Sequence, residues 1–270
     1  MARRVNREAI VVLGWGRAIL MQLAHPLVAA GVGAHSGFDA GAPAYVRRMR
    51  STISAMLSLT FGTDTEVGEA ADRINAIHRR VHGELAQPVG PYEAGTRYDA
   101  ADPELLAWVH ATLVDSQLRT YVLFVAPLTP AEEDRYCAEA AEIGPRLGVP
   151  PGMLPLTRDG LDLYLREMQQ AGRLAVGQEA VRLAKALLAV PGGPWTAPAR
   201  WLGRLVTVGL LPPALREAYG FPWLERDHRR LRQVAAVVRG ARRMAPRVLR
   251  EWPAARRPPR SRPAGARLTR

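Results

Sequence analysis

The sequence predicts a mainly α fold: a single all-helical domain with a long C-terminal helix and a disordered basic tail. Three observations predict it. Apolar residues recur at three- and four-residue spacings through most of the 270 residues, the period of a helix face rather than of a strand. No segment sustains apolar–polar alternation, and no run of hairpin turns is present. Two stretches, Asp102-Pro-Glu104 and Thr129-Pro-Ala-Glu-Glu133, carry the N-cap residue and first-turn proline that start helices.

Ala9–Leu23 is apolar nearly all round, which predicts a buried helix. Pro26 kinks that helix or opens the next turn. Gly31–Pro43, rich in glycine and small residues, reads as a loop. Tyr45–Phe61 predicts a helix with Val46, Met49, Ile53, Met56 and Leu57 along one side, ended by Gly62-Thr-Asp64. Thr65–Leu85 predicts another, with Val67, Ile74, Ile77 and Val81 on one face. The Asp102 start opens a helix to about Val125, and the Thr129 start one to about Leu147. Gly148-Val-Pro-Pro-Gly152 breaks the chain. Leu161–Ala171, Glu179–Val190, Pro198–Leu210 and Pro213–Tyr219 are shorter helical candidates. Trp223–Trp252 reads as one long helix, or two with a break near Pro246. Residues 253–270 are Pro- and Arg-rich and read as disordered.

Apolar content of 48% suits a folded globule, and with aromatics at only 6% Leu, Ala and Val must fill the interior. The net charge of +12 looks like a nucleic-acid signal until it is located. Residues 224–270 hold fifteen arginines against Glu225, Asp227 and Glu251, so residues 1–223 are neutral. A solvated arginine face is one reading of that region. The other is peripheral contact of 224–270 with an anionic membrane, because Leu224–Leu249 mixes arginines with Leu, Val, Ala and Met. Nucleic acid is disfavoured, since that helix lacks aromatic stacking platforms. Cys137 stands alone, which excludes an intrachain disulfide and thiolate-rich metal sites. Arg17 interrupts the apolar run Ile10–Leu20, and no cleavage site follows it. No uncharged apolar stretch of about 18 residues predicts a membrane span. The reading is a cytoplasmic protein, peripheral to the membrane at most.

Five of the six histidines precede residue 111: His25, His35, His78, His82 and His110. Histidine is the commonest side-chain metal donor and the usual proximal ligand of haem iron, so histidines from several segments mark a candidate cofactor pocket. The alternative is a set of separate histidines, each satisfied locally. Arg48 and Thr52 are four apart and share a helix face, presenting a cation and a hydroxyl toward one place. His78 and His82 share a face in the same way and can chelate one metal, with His78 the more inward. His25 precedes Pro26, where a lost backbone bond leaves a carbonyl for a side chain to satisfy. His35 lies in the glycine-rich stretch, and His110 sits on the Asp102 helix with Asp115 and Ser116 as candidate partners.

These residues stand in a characteristic order: Arg17, Gln22-Leu-Ala-His-Pro-Leu-Val-Ala-Ala-Gly-Val32, His35-Ser36, Arg48-x-x-x-Thr52, Phe61-Gly62, His78, then Tyr98-x-Ala-x-Asp102-Pro-Glu-Leu-Leu-Ala-Trp-Val-His110. The order resembles the haem-dependent oxygenase family that contains rubber oxygenase (latex clearing protein) and the mpaB-type oxygenases. The likeness runs on through Tyr136-Cys-x-Glu139, Gly148-Val-Pro150 and Leu154-Pro155 to Tyr219-Gly-Phe-Pro-Trp223, covering about residues 5–225.

The resemblance implies a globin-like helical domain over 5–225 that holds haem b, followed by a basic helix over 226–252 and the tail over 253–270. It implies His78 as the proximal iron ligand, with His82 as the alternative, and His25, His35 and His110 as walls of the cofactor pocket. Arg48 and Thr52 match the family's distal-side helix motif. In the rubber-cleaving branch a lysine before that threonine can occupy the sixth iron position; here Ser51 stands there. The implied activity is an oxygenase using dioxygen on an apolar, isoprenoid or lipid-like substrate. The competing reading is a non-catalytic helical haem- or lipid-binding protein whose histidines brace the core. A nonhaem metal enzyme would need carboxylates, and Glu84, Asp102 and Glu139 are the candidates, in no recognisable Glu-x-x-His pattern.

Overall fold

The computed structural model describes residues 1–35, 41–189 and 193–256, with the side chains of 41–45 and Arg48 outside the described set. The expected tail over 257–270 lies outside it as well. The described residues form helices α1 (Ala2–Asn6), α2 (Gly14–Leu23), α3 (Pro26–His35), α4 (Gly41–Phe61) and α5 (Asp64–His78), then strands β1 (His82–Glu84) and β2 (Arg97–Asp99). Helices α6 (Pro103–Phe124), α7 (Pro130–Ala141), α8 (Arg158–Gln170), α9 (Gln178–Leu188), α10 (Ala197–Leu210), α11 (Pro213–Ala218), α12 (Glu225–Met244) and α13 (Arg247–Arg250) follow. The fold is mainly α, as the periodicity predicts.

Helix α2 is the hub. It packs on α6, α10, α9 and α3, and Leu20, Met21 and Leu23 are buried together with Trp108 and Leu118 of α6. Full burial of each such side chain is worth about 1.5–3 kcal/mol. Close approach needs small residues at the crossing. A Cβ at Gly14 would run into Thr120 Oγ1 and the Ser116 carbonyl of α6, and one at Gly16 into Thr207 of α10.

The start signals operate as their chemistry requires. Asp102 accepts from the Glu104 amide at 2.7 Å, and Thr129 and Glu132 cap each other reciprocally at the head of α7. A second capping box, Thr63 with Glu66, starts α5 after the two-residue link from α4. Pro26 opens α3 rather than kinking α2: Ala9–Leu23 and Pro26–His35 meet at 110°. No single helix among the described residues is long and apolar enough to cross a membrane.

Several boundaries differ from the sequence reading: the helix opened at Thr129 stops at Ala141, with Gly144–Leu147 a separate 3-10 turn, and α4 begins at Gly41, inside the expected loop. Gly31–His35 continues α3 instead of opening a loop, because small residues let that helix lie close over the β1–β2 hairpin; a Cβ at Gly31 would meet Val81 and Tyr98 at 3.3 and 3.6 Å; residues 36–40 lie outside the described set. Helix α5 stops at His78, and the chain pairs as β1 with β2, Gly83 opposite Tyr98. Ala9–Leu13 is a 3-10 segment ahead of α2.

The basic helix is built into the body. Leu231 and Ala235 of α12 are buried against α10 and α6, and Arg242 Nε donates to Glu8 Oε2 at 2.8 Å, where Glu8 is 1% exposed. The Trp252 amide donates to the Arg7 carbonyl at 3.0 Å, and Pro253–Arg256 forms a 3-10 turn. The helix breaks at Pro246, between α12 and α13.

Candidate functional site

The β1–β2 hairpin gathers four of the five N-terminal histidines. His78 ends α5 at the entry to the hairpin, its carbonyl accepting from the Val81 amide at 2.9 Å. His82 opens β1 opposite Asp99 and is exposed. His25, buried between α2 and α3, hydrogen-bonds through Nε2 with the Tyr92 hydroxyl at 3.1 Å in the hairpin connection. His35, exposed in the last turn of α3, donates from Nδ1 to the Gly31 carbonyl at 3.2 Å and meets the Tyr98 ring edge-on. His110 is apart from this group, on α6.

The pairing of His78 with His82 on one helix face does not hold. Because α5 ends at His78, the two are separated by a turn and a change from helix to strand, and one chelating face is not formed. The expected partners of His110 are also replaced. Its Nε2 donates to the Ala140 carbonyl at 2.9 Å, while Asp115 and Ser116 bind Arg17. The His25 ring serves no carbonyl at the α2–α3 corner: the Gln22 carbonyl that Pro26 cannot serve accepts from the His25 amide at 3.1 Å, and the ring bonds Tyr92.

Electrostatics separate the histidines further. Burial, and after it the charge of Arg173, pushes the His25 imidazole down to about 4. Burial lowers His78 and His110 too, the Ala140 bond opposing it at His110. All three imidazoles are thereby neutral near pH 7, the form that donates a lone pair. His110 spends Nε2 on a carbonyl. His25 Nδ1 and His78 Nδ1 are buried without a hydrogen-bond partner among the described residues. An orphaned buried polar atom is rare and asks for an explanation. The donor chemistry of His78, neutral and with an unused buried nitrogen, fits a histidine ligand to haem iron.

Helices α4 and α5 pack together through a two-residue link. Arg48 and His78 each lie about fifteen residues from that link. The Arg48 side chain lies outside the described residues. Thr52 is exposed on α4, on the wall of an apolar cavity of about 450 Å³. Trp15 and Ile19 of α2, Met49 and Ile53 of α4, and Leu187 of α9 line it with Thr207 of α10. His78 is not among its lining residues. The Trp15 indole N–H is buried without a partner among the described residues. Neither Trp15 nor the hairpin tyrosines Tyr92 and Tyr98 stand out by spacing, although Tyr98 lies in the quoted family order. Among the described residues, no group of three or more His, Cys, Asp or Glu side chains could hold a metal by itself.

The family model described as "ER-bound oxygenase mpaB/B'/Rubber oxygenase, catalytic domain" matches residues 2–240. The chain belongs to this family. Similar proteins include one from Mycobacterium tuberculosis and one from Mycobacterium bovis, both described as uncharacterised. Each is 29% identical over 238 residues, covering 87% of this chain and 89% of the relative. No solved structure matches significantly. The mpaB/rubber oxygenase match takes in α12 up to residue 240, in keeping with the burial of Leu231 and Ala235. Membership makes this an oxygenase-type catalytic domain.

Proposed function

We propose that this mpaB/rubber oxygenase member is a haem b-dependent oxygenase acting with dioxygen on an apolar, isoprenoid or lipid-like substrate. The observation that carries the reading is the His78 imidazole: partly buried, lowered in pKa by burial, its Nδ1 unpartnered. His78 is the proximal ligand in this proposal, and His82, exposed on β1, is set below it. Haem, when bound, supplies the redox chemistry with dioxygen. The protein contributes donor, polarity and access. Thr52 contributes a hydroxyl at the wall of the apolar cavity, and Arg48, on the same α4 face, a permanent cation; together they stabilise negative charge that develops during the reaction. The cavity's aliphatic wall excludes water and orients an apolar chain. His25 and His35 flank the hairpin as supports. His110, committed to Ala140, acts as a brace.

The test is an absorption spectrum of the purified full-length protein after haem reconstitution. A Soret band at one haem per chain is expected, with oxygen consumption on adding an isoprenoid alkene. A spectrum indistinguishable from free haem in buffer sinks the reading. The non-catalytic alternative predicts no oxygen consumption, with a Soret band only if the protein carries haem.

Peripheral contact with anionic membrane through 224–270 belongs to the same proposal. Met244 is 89% exposed and Leu249 75%, among Arg243, Arg247 and Arg250. Exposed apolar groups beside arginines suit a phosphatidylserine surface, at about 1 kcal/mol per arginine. Full-length protein is expected to sediment with phosphatidylserine-containing vesicles and not with pure phosphatidylcholine. Arg243→Gln with Arg247→Gln should lower partitioning several-fold; equal partitioning of the variant and the parent excludes the contact. These substitutions leave the buried α12 face intact.

A further inference from the structure

A second, larger groove of about 960 Å³ lies on the other face of α2. Its floor is a closed ion-pair network. Asp115, 0% exposed, accepts from Arg17 at 2.6 Å, Arg158 at 2.8 Å and Arg119 at 3.0 Å. Arg158 and Arg119 also reach Asp162, and Arg158 lies 3.9 Å from Glu133. Three guanidiniums therefore meet three carboxylates. Arg17 is further committed to the Leu210 carbonyl and the Ser116 hydroxyl. The floor's charges are thus matched to one another among the described residues.

The rim is different. Arg166 of α8, Arg216 of α11 and Arg239 of α12 line the same groove, and none pairs with a carboxylate among the described residues. Arg216 lies over the Trp223 ring at 5.4 Å, and His228 meets that ring edge-on at 5.4 Å. Arg216 Nη1 is buried with no hydrogen-bond partner among the described residues, and burial lowers the guanidinium's pKa. A buried, unpaired guanidinium nitrogen is a standing cost that an anion relieves through short, charge-assisted bonds. Leu118, Val122, Leu123 and Leu165 give the groove an aliphatic side. Gly16 and Ile19, on the opposite face of α2, line the apolar cavity instead, so the two sites are separate.

We propose that this groove binds an amphipathic anion, its phosphate or carboxylate head held by Arg216 with Arg166 and Arg239, and its aliphatic chain along α6 and α8. The site is independent of haem binding. Calorimetric titration of full-length protein with octyl phosphate, octanoate, inorganic phosphate and octanol tests it, all below micelle-forming concentrations. Saturable one-to-one binding of octyl phosphate or octanoate is expected, the tighter of the two identifying the head group. Arg216→Gln should weaken it roughly tenfold or more, with the thermal midpoint close to the parent's because the side chain is partly exposed. The double variant Arg166→Gln with Arg239→Gln should weaken it similarly, giving a second reading should Arg216→Gln misfold. Arg229→Gln, the same charge change on the exposed face of α12, should bind as the parent does. No saturable binding of either amphiphile overturns the proposal. So does equal affinity in Arg216→Gln and Arg229→Gln, or octanol or inorganic phosphate binding as tightly as octyl phosphate.

Discussion

His78→Ala is expected to lose stoichiometric haem binding, with affinity falling by more than about a hundredfold, while His82→Ala keeps it. Altered outer-shell partners alone typically cost 10–100-fold in metal affinity, and removing the donor itself should exceed that. The contrast follows from position: His78 is partly buried at the end of α5, whereas His82 is exposed on β1. The apo fold should tolerate the change. His78 Nδ1 makes no hydrogen bond among the described residues, so the alanine variant strands no partner and relieves an unsatisfied polar atom. Circular dichroism and thermal midpoint of the apo variant should therefore match the parent closely, and added imidazole should restore part of the Soret band. A merely bracing histidine would show the reverse, lower stability with no spectral change. An unaltered spectrum in His78→Ala removes the ligand role from His78 and passes it to His82, the alternative donor; loss of the spectrum in His82→Ala would then identify it.

Helix starts were legible because caps are local chemistry: Asp102 and Thr129 act through their own side chains on amides two and three residues away. Ends and interruptions depended on distant residues. Thr65–Leu85 carries an unbroken apolar stripe, yet α5 stops at His78 because the following residues pair with Arg97–Asp99 and lie under α3. Gly31–His35 looks like a loop by composition, but its small residues serve helix-to-hairpin contact. The charge count separated a neutral body from an arginine-rich end, and could not reveal that Leu231, Ala235 and Arg242 weld that end to α10, α6 and Glu8. The candidate site was legible as a set of histidines and an Arg–Thr helix motif. Its grouping around the hairpin was not, since Tyr92 and Tyr98 make it through contacts of long sequence separation. Arg17 lies within a helix that is apolar nearly all round, and a buried arginine demands a buried carboxylate.

That carboxylate is Asp115, and Asp115→Ala is expected to destabilise the protein by about 3–5 kcal/mol, the range for breaking a buried pair from one side. Arg17 and Asp115 are 2% and 0% exposed, so neither water nor salt can replace the lost partner. Arg158 and Arg119 reach the solvent more easily and can relax; Arg17 cannot, being held at the α2–α6–α10 crossing by Leu210 and Ser116. Urea unfolding at neutral pH measures the loss, and a midpoint unchanged from the parent would contradict the network. The pH dependence gives an independent check. Burial alone would raise the Asp115 carboxyl, but the guanidiniums of Arg17, Arg119 and Arg158 overcome it and hold the group at about 2. A carboxyl near 3.9 when unfolded and depressed when folded adds stability that is fully present above about pH 4. That contribution, roughly 2 kcal/mol, fades as pH falls toward 2. Asp115→Asn has no such titration, so its stability deficit against the parent should narrow by that amount between pH 5 and pH 2. Adding Arg17→Met to Asp115→Leu should recover much of the loss, because an apolar pair of similar volume removes the stranded charge and the desolvation it imposes.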